Sequence, residues 1–176
     1  LGVNGQLGGY ELTSRPLTDF DKIAGKIAKV DGVVRVIPTV EGQVLVSANS
    51  VAAGAIVRGV RPGDIRAREI IADNIRAGSL ENFKGRSSVI VGSRFARKFG
   101  VRPGDTVRLV SPQSNATAFG SVPRSKRYNI AAVFEVGMFE YDSSFVFMPL
   151  EAAQIYFRSK NAVTNIEVLS LIHISE

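Results

Sequence analysis

The stretch Ser143-Ser-Phe-Val-Phe-Met-Pro-Leu-Glu-Ala-Ala-Gln-Ile-Tyr-Phe-Arg158 decides the fold class. Its residues up to Met148 are rich in aromatic and β-branched side chains, which predicts a strand. Pro149 follows, and because proline is favoured at the first position of a helix, we predict a helix from there to about Arg158. Residues 163–168 predict a second strand. The C-terminal part therefore reads as strand, helix, strand.

The N-terminal part has the same order. Apolar and polar residues alternate weakly over residues 6–13, which predicts a strand. Residues 18–30 predict a helix with Thr18 at its N-cap. β-branched residues on both sides of Pro38 predict two strands that meet at a corner. Residues 51–60 predict a further strand after a short turn.

The segment between these two parts reads as short elements separated by Gly and Pro. They are a turn at 61–64, a helix over 66–77 closed by Gly78, a buried strand at 88–91, and a helix over 93–99 capped by Ser93 and closed by Gly100.

Together these patterns predict an α+β fold for residues 1–168. A split ferredoxin-like, porter-like lobe would comprise residues 1–60 and 137–168, and an inserted smaller α/β lobe would comprise residues 61–136. Residues 169–176 resemble translated adapter sequence, so we expect them to be a non-native tail.

The inserted lobe carries an unusually long connection between two predicted strands, 106–111 and 128–136. Hairpin loops usually have 2–5 residues. This connection is much longer, and its segment 113–122 contains no charged residue. Long loops of this kind are commonly functional, so we expect a protruding hairpin loop that binds a partner.

Two groups of side chains are candidates for contacting that partner. In the loop, prolines would stiffen both bases and Phe119 would be the apolar anchor, unless it packs back on its own domain. At the base, basic residues would form a charged pad, unless they only protect a sheet edge. The hook-like loop candidates are Pro112, Thr117, Phe119, Val122 and Pro123, and the basic pad candidates are Arg108, Arg124, Lys126 and Arg127.

Composition argues against most other functions. The 176 residues include no cysteine and a single histidine, His173, close to the C-terminus, which disfavours a Ser-His-Asp triad and Cys-based or multi-histidine metal sites. An enzyme that uses the carboxylates Glu135 and Glu140 is a weak alternative. The net charge of +6 would suit nucleic acid, but the interleaved aromatics of such a site are missing. We expect no catalytic activity, no cofactor, no metal and no nucleic acid.

The chain lacks an apolar run of 18 or more residues, and it begins at Leu1 without an initiator methionine. We therefore expect a piece of a longer protein, with membrane segments on either side.

Several runs of this sequence resemble the LolC/LolE family of lipoprotein-releasing ABC transporter permeases. The two longest are Ile90-Val-Gly-Ser-Arg-Phe-Ala-Arg-Lys-Phe-Gly-Val-Arg-Pro-Gly-Asp-Thr-Val-Arg-Leu109 and Tyr128-Asn-Ile-Ala-Ala-Val-Phe-Glu-Val-Gly-Met-Phe-Glu-Tyr-Asp-Ser-Ser144. Shorter agreements occur at 1–5, 40–43, 56–59 and 77–80. The order and spacing of these runs, rather than any one motif, carry the resemblance.

The resemblance implies a periplasmic domain of a bacterial inner-membrane protein, with a fold similar to the MacB-type periplasmic core. The intact complex would contain a LolD-type ATPase and a second LolC/LolE-type permease subunit, and it would pass acylated lipoproteins to the carrier LolA. By position, the segment from Pro112 to Pro123 matches the family's hook, and Arg108 and Lys126, with Arg127 beside them, match its basic pad.

Several points stay open at this level. They are the choice between LolC-like, LolE-like and merged subunits, the oligomeric state, the lipoprotein specificity and the loop conformation. The alternative function is a MacB-like or FtsX-like transmission domain that contacts an efflux partner or a cell-wall regulator.

Overall fold

A computed structural model describes residues 17–117 and 120–170, with the backbone alone for 112–117, 120–122 and 170. The predicted strand at 6–13 lies outside this range, as do residues 171–176 of the expected tail. The helices are α1 (Phe20–Ile27), α2 (Pro62–Arg66), α3 (Glu69–Ala72), α4 (Ser93–Phe99), α5 (Phe139–Ser144) and α6 (Leu150–Tyr156). The strands are β1 (Val33–Ala48), β2 (Val51–Val60), β3 (Ile75–Gly78), β4 (Ser88–Gly92), β5 (Thr106–Thr117), β6 (Gly120–Phe134), β7 (Phe145–Pro149) and β8 (Asn165–Ser170).

These strands form a single sheet in which six strands close into a ring of pairings. The order is β2-β7-β4-β6-β5-β1-β8, and β2 also pairs with β1, which closes the ring. β3 pairs with β6 from outside the ring, and β8 extends it from β1. Strands of both predicted lobes contribute to this ring, so the division at 61–136 stays a prediction. None of the helices in the described part of the chain is long and apolar enough to cross a membrane.

Apolar side chains fill two cores, one on each side of the central strands β4 and β7. Val89 and Val146 face the larger core, which also contains residues of α4 and α6, whereas Ile90 and Phe147 face the second core. Every residue of β4 and β7 is buried. A continuous apolar run is the pattern of a strand covered on both faces, which confirms the predicted buried strand at 88–91.

The prediction that Pro38 ends a strand is wrong, because β1 is a strand of 16 residues that continues through Pro38. Pro38 pairs with Ile166 of β8, and pairing of β1 with β2 begins only at Val40. A proline is tolerated where a strand has one neighbour, since it can remove at most one ladder hydrogen bond there.

The segment after β2 also differs from its prediction. The predicted turn at 61–64 contributes to helix α2, with Pro62 at its start. The predicted helix at 66–77 is reduced to α3, and β3 follows it. Gly78 has a positive φ of 78°, but it ends β3 and does not cap a helix; a Cβ there would collide with the backbone of Ala131. Pairing with β6 overrides the local helical pattern.

Several helix boundaries agree with the sequence patterns, although their caps differ. Helix α4 has the predicted bounds and is closed by Gly100 at φ 61°. Its N-cap is Gly92 rather than Ser93, and the Ser93 hydroxyl donates a hydrogen bond to Glu135 at 3.0 Å. Helix α1 has Asp19 rather than Thr18 at its N-cap. Helix α5 was not predicted.

Candidate functional site

The connection between β5 and β6 is the feature that the sequence singles out. The structure replaces the predicted loop at 112–127 with an extended antiparallel pair, whose ladder continues to Thr117 opposite Gly120. The register shifts between Val110 and Ser114. β1 pairs with β5 only at Arg108–Val110, so beyond Val110 the two strands pair only with each other among the described strands. We call this two-stranded segment, residues 111–117 and 120–124, the β5–β6 extension.

Four of the five hook-like candidates lie in this extension. Pro112 falls where the register shifts, and Pro123 is exposed and lies opposite Ser114. Both prolines are compatible with a two-stranded ribbon, because each strand there has one neighbour among the described strands. The backbones of Thr117 and Val122 belong to β5 and β6, whereas Phe119 lies outside the described residues. Phe119 as the anchor therefore stays a prediction.

Two of the four pad candidates form a pair on one face of the sheet. Arg108 lies directly opposite Arg127, and both side chains are exposed. The neighbouring position on β1 is Ser47, opposite Arg108. Two residues further along the same face, the exposed Leu45 lies opposite Val110. This face therefore combines two guanidinium groups with a small apolar spot.

The other two candidates point to the opposite face, because side chains alternate along β6. Lys126 donates a hydrogen bond from its ammonium group to the carbonyl oxygen of Arg86 at 2.9 Å. Its Nζ atom also lies 5.1 Å from the centre of the Tyr128 ring. The guanidinium of Arg124 donates to the carbonyl oxygen of Tyr156, the last residue of α6. The four predicted pad residues therefore divide between two faces.

Two buried tyrosines support the base of the extension from within the core. The rings of Tyr128 and Tyr156 meet edge to face with their centres 6.1 Å apart. Desolvation raises the pKa of Tyr156 to about 12, against a smaller lowering by Arg124. Desolvation raises the pKa of Tyr128 still further, with Tyr156 adding to the effect. Both phenols are therefore neutral at physiological pH, and they form a rigid aromatic platform beneath Arg124 and Lys126.

A buried carboxylate, that of Asp142, holds the segment that follows β6. Asp142 is 1% exposed, and its two oxygens accept hydrogen bonds from the backbone N–H groups of Val136 and Gly137 at 2.9 and 3.0 Å. Sequence analysis quoted this run but did not identify the role of Asp142. An Asp five residues after the Glu135-Val-Gly137 run was the available signal.

Glu135, one of the two carboxylates considered for catalysis, has structural partners. It accepts a hydrogen bond from Ser93, and it lies 3.5 Å from Arg76 and 3.9 Å from Arg97. These contacts link the end of β6 to α4 and β3, so Glu135 has a structural role.

Comparison with known proteins gives a consistent result. The family model described as the MacB-like periplasmic core domain matches residues 3–170. The lipoprotein-releasing system transmembrane protein LolC of Neisseria meningitidis serogroup B is 26% identical over 152 residues, which cover 86% of this chain and 37% of that protein. LolC of Xylella fastidiosa strain Temecula1 is 30% identical over 105 residues, or 59% of this chain and 25% of that protein. The chain thus spans only about a quarter to two fifths of the length of these relatives.

Solved structures share the fold. The extracellular domain of the ABC-type transporter YknZ from Gram-positive bacteria superposes with a TM-score of 0.60 and 16% identity, covering 90% of this chain and 75% of that one. The periplasmic region of MacB from Actinobacillus actinomycetemcomitans gives a TM-score of 0.59 and 10% identity, covering 92% and 68%. At these identities the likeness concerns the fold alone, and it confirms the expected MacB-type α+β architecture.

Proposed function

The chain belongs to the MacB-like periplasmic core domain family, and from that membership we propose that it is the periplasmic domain of a lipoprotein-releasing permease. In this proposal, the membrane subunit takes acylated lipoproteins from the inner membrane and hands them to a LolA-type carrier. A LolD-type subunit hydrolyses the ATP, and a second LolC/LolE-type subunit completes the complex. The likeness to LolC over 86% of the chain supports the substrate class.

One observation carries the docking role, namely that Arg108 lies opposite Arg127. Like charges directly opposite each other in an antiparallel pair destabilise it. Both side chains are exposed, and Val110 and the exposed Leu45 lie two residues further along the same face. An acidic partner would neutralise this repulsion, so the pair is suited to binding rather than to folding.

The β5–β6 extension would be the arm that enters the carrier. Beyond Val110 its strands pair only with each other among the described strands, so it extends past the last residue that pairs with β1. At its base, Arg124 and Lys126 hold it to the body through the carbonyl groups of Tyr156 and Arg86. Such preorganisation reduces the entropy that binding costs. The split ferredoxin-like lobe, to which the membrane helices would connect, would be the part that moves with them.

Charge reversal at the arginine pair tests this proposal. In the intact permease complex, the double variant Arg108→Glu with Arg127→Glu should capture the purified carrier about tenfold or more weakly, since like charges across an interface are strongly unfavourable. The matched control is Lys26→Glu with Lys29→Glu, which changes the net charge equally at exposed positions in and just after α1. Equal capture by the two double variants would refute the assignment.

The fold likeness to MacB and YknZ favours a second candidate, a transmission domain that contacts an efflux partner or a cell-wall regulator. The same capture experiment separates the two candidates. A wild-type complex that does not bind the carrier at all, while its ATPase activity is intact, would favour the second.

A further inference from the structure

We propose that a groove beside α6 is a second contact surface, which binds an acidic, partly apolar segment of the same carrier. The proposal rests on the proposed function, because it assumes the same partner. The groove has a volume of about 690 Å³. We call it the α6 groove, and its lining residues are Arg86, Glu151, Gln154, Ile155, Arg158, Lys160 and Asn161.

The charge of the α6 groove favours an acidic occupant. Three of its lining side chains are basic and one is acidic. Arg158 and Lys160 are exposed and have no acidic partner among the described ion pairs. The third cation, Arg86, is bound to Glu151 at 2.6 Å, but both side chains are more than half exposed. Exposed ion pairs of this kind contribute little, so a partner carboxylate can replace Glu151 at low cost.

The floor of the groove supplies an apolar contact. Ile155 lies on α6 and is 46% exposed. Burying it against a partner side chain would remove apolar surface from water. An apolar centre with a charged rim is the usual composition of a protein–protein contact. The segment that fits therefore has acidic residues around at least one apolar side chain.

The groove is continuous with the base of the β5–β6 extension. Lys126 binds the carbonyl of Arg86, which lines the groove, and Arg124 binds the carbonyl of Tyr156, which directly follows Ile155. The two pad candidates that point away from Arg108 and Arg127 therefore connect the arm to the wall of the groove. A carrier that surrounds the arm would meet Arg108 and Arg127 on one face and the α6 groove on the other.

The test uses the intact complex, reconstituted in nanodiscs of neutral phosphatidylcholine, with the purified carrier as the probe. The variants are Ile155→Asp and the double variant Arg158→Glu with Lys160→Glu. The control is Lys26→Glu with Lys29→Glu, which changes the net charge by the same amount as the double variant. We expect each groove variant to weaken carrier capture by about tenfold, equivalent to about 1.4 kcal/mol, and the control to change it by less than about twofold.

The outcomes separate this inference from the proposed function. If reversal of Arg108 and Arg127 abolishes capture but the groove variants behave like the control, the α6 groove does not contact the carrier. If neither set has an effect, the proposed function fails as well. If the groove variants act only in nanodiscs that contain anionic lipid, the groove binds lipid headgroups and the inference is overturned.

Discussion

Gly92, at the end of β4, lies directly beneath the backbone of Asp142 in α5, with no room between them for a side chain. This close approach fixes α5 on the end of the central strand. From there the Asp142 carboxylate reaches the N–H groups of Val136 and Gly137. The segment between β6 and β7 is therefore held to the rest of the domain by the Asp142 backbone and by its side chain.

Replacing Gly92 with alanine should destabilise the domain. A Cβ atom there would collide with the backbone carbonyl of Asp142, and backbone can move only if α5 is displaced. We expect a loss of about 2 kcal/mol or more in the free energy of unfolding, measured by urea denaturation. Gly54→Ala in β2 is the control, because a Cβ there meets nothing within 4 Å and it should change stability by less than about 0.5 kcal/mol. Equal stability of the two variants would contradict the packing described here.

Replacing Asp142 with asparagine should also destabilise the domain, for a different reason. The carboxylate accepts two backbone hydrogen bonds in a site that is 1% exposed. Asparagine keeps one acceptor oxygen and turns a buried amide group towards a backbone N–H. Leaving a buried group unpaired costs about 1–3 kcal/mol, so we expect a loss of that size. The exposed Glu140→Gln is the control, and the midpoint of urea denaturation is the readout.

The buried tyrosines make stability depend on alkaline pH. Burial raises the pKa of Tyr156 to about 12 in the folded state, from an unfolded value near 10. Above pH 10 the unfolded chain releases this proton and the folded chain keeps it, so stability falls as the pH rises from 10 to 12. Tyr128 acts in the same direction.

Tyr156→Phe should remove part of this dependence. The Tyr156 hydroxyl has no hydrogen-bond partner among the described residues, so its removal should cost little at pH 7. We therefore expect near-equal stability at pH 7 and a shallower decline above pH 10. Stability is measured by thermal unfolding at each pH. If the stability of the variant falls as steeply above pH 10 as that of the wild type, Tyr156 titrates normally.

Local sequence patterns predicted those elements whose form depends mainly on nearby residues. The strand at 51–60 and the closing of α4 by Gly100 are confirmed because an apolar strand pattern and an αL glycine act locally. Long-range pairing decided the rest. Pairing with β8 lets β1 continue through Pro38, and pairing with β6 makes residues 75–78 a strand.

For the candidate site, the sequence identified the residues but not their grouping. From the sequence, Arg108 was expected near Lys126 or Arg127 on the returning strand, and the observed register places it opposite Arg127. The register is a relation between residues that are distant in the sequence, and local patterns do not show it. For the same reason, the link from Lys126 to Arg86 and the α6 groove could not be foreseen.

The arginine pair should have opposite effects on folding and binding. Arg127→Glu places a carboxylate opposite Arg108 and converts a repulsive cross-strand pair into an attractive one. Such pairs contribute about 0.2–1 kcal/mol, so the variant should be more stable than the wild type by an amount in that range. Its capture of an acidic carrier should be weaker, because a cation at the interface has become an anion. Thermal unfolding and carrier capture measure the two effects, and Lys29→Glu controls for net charge. If stability and capture fall together, the arginine pair contributes to folding and its repulsion is not maintained for a partner.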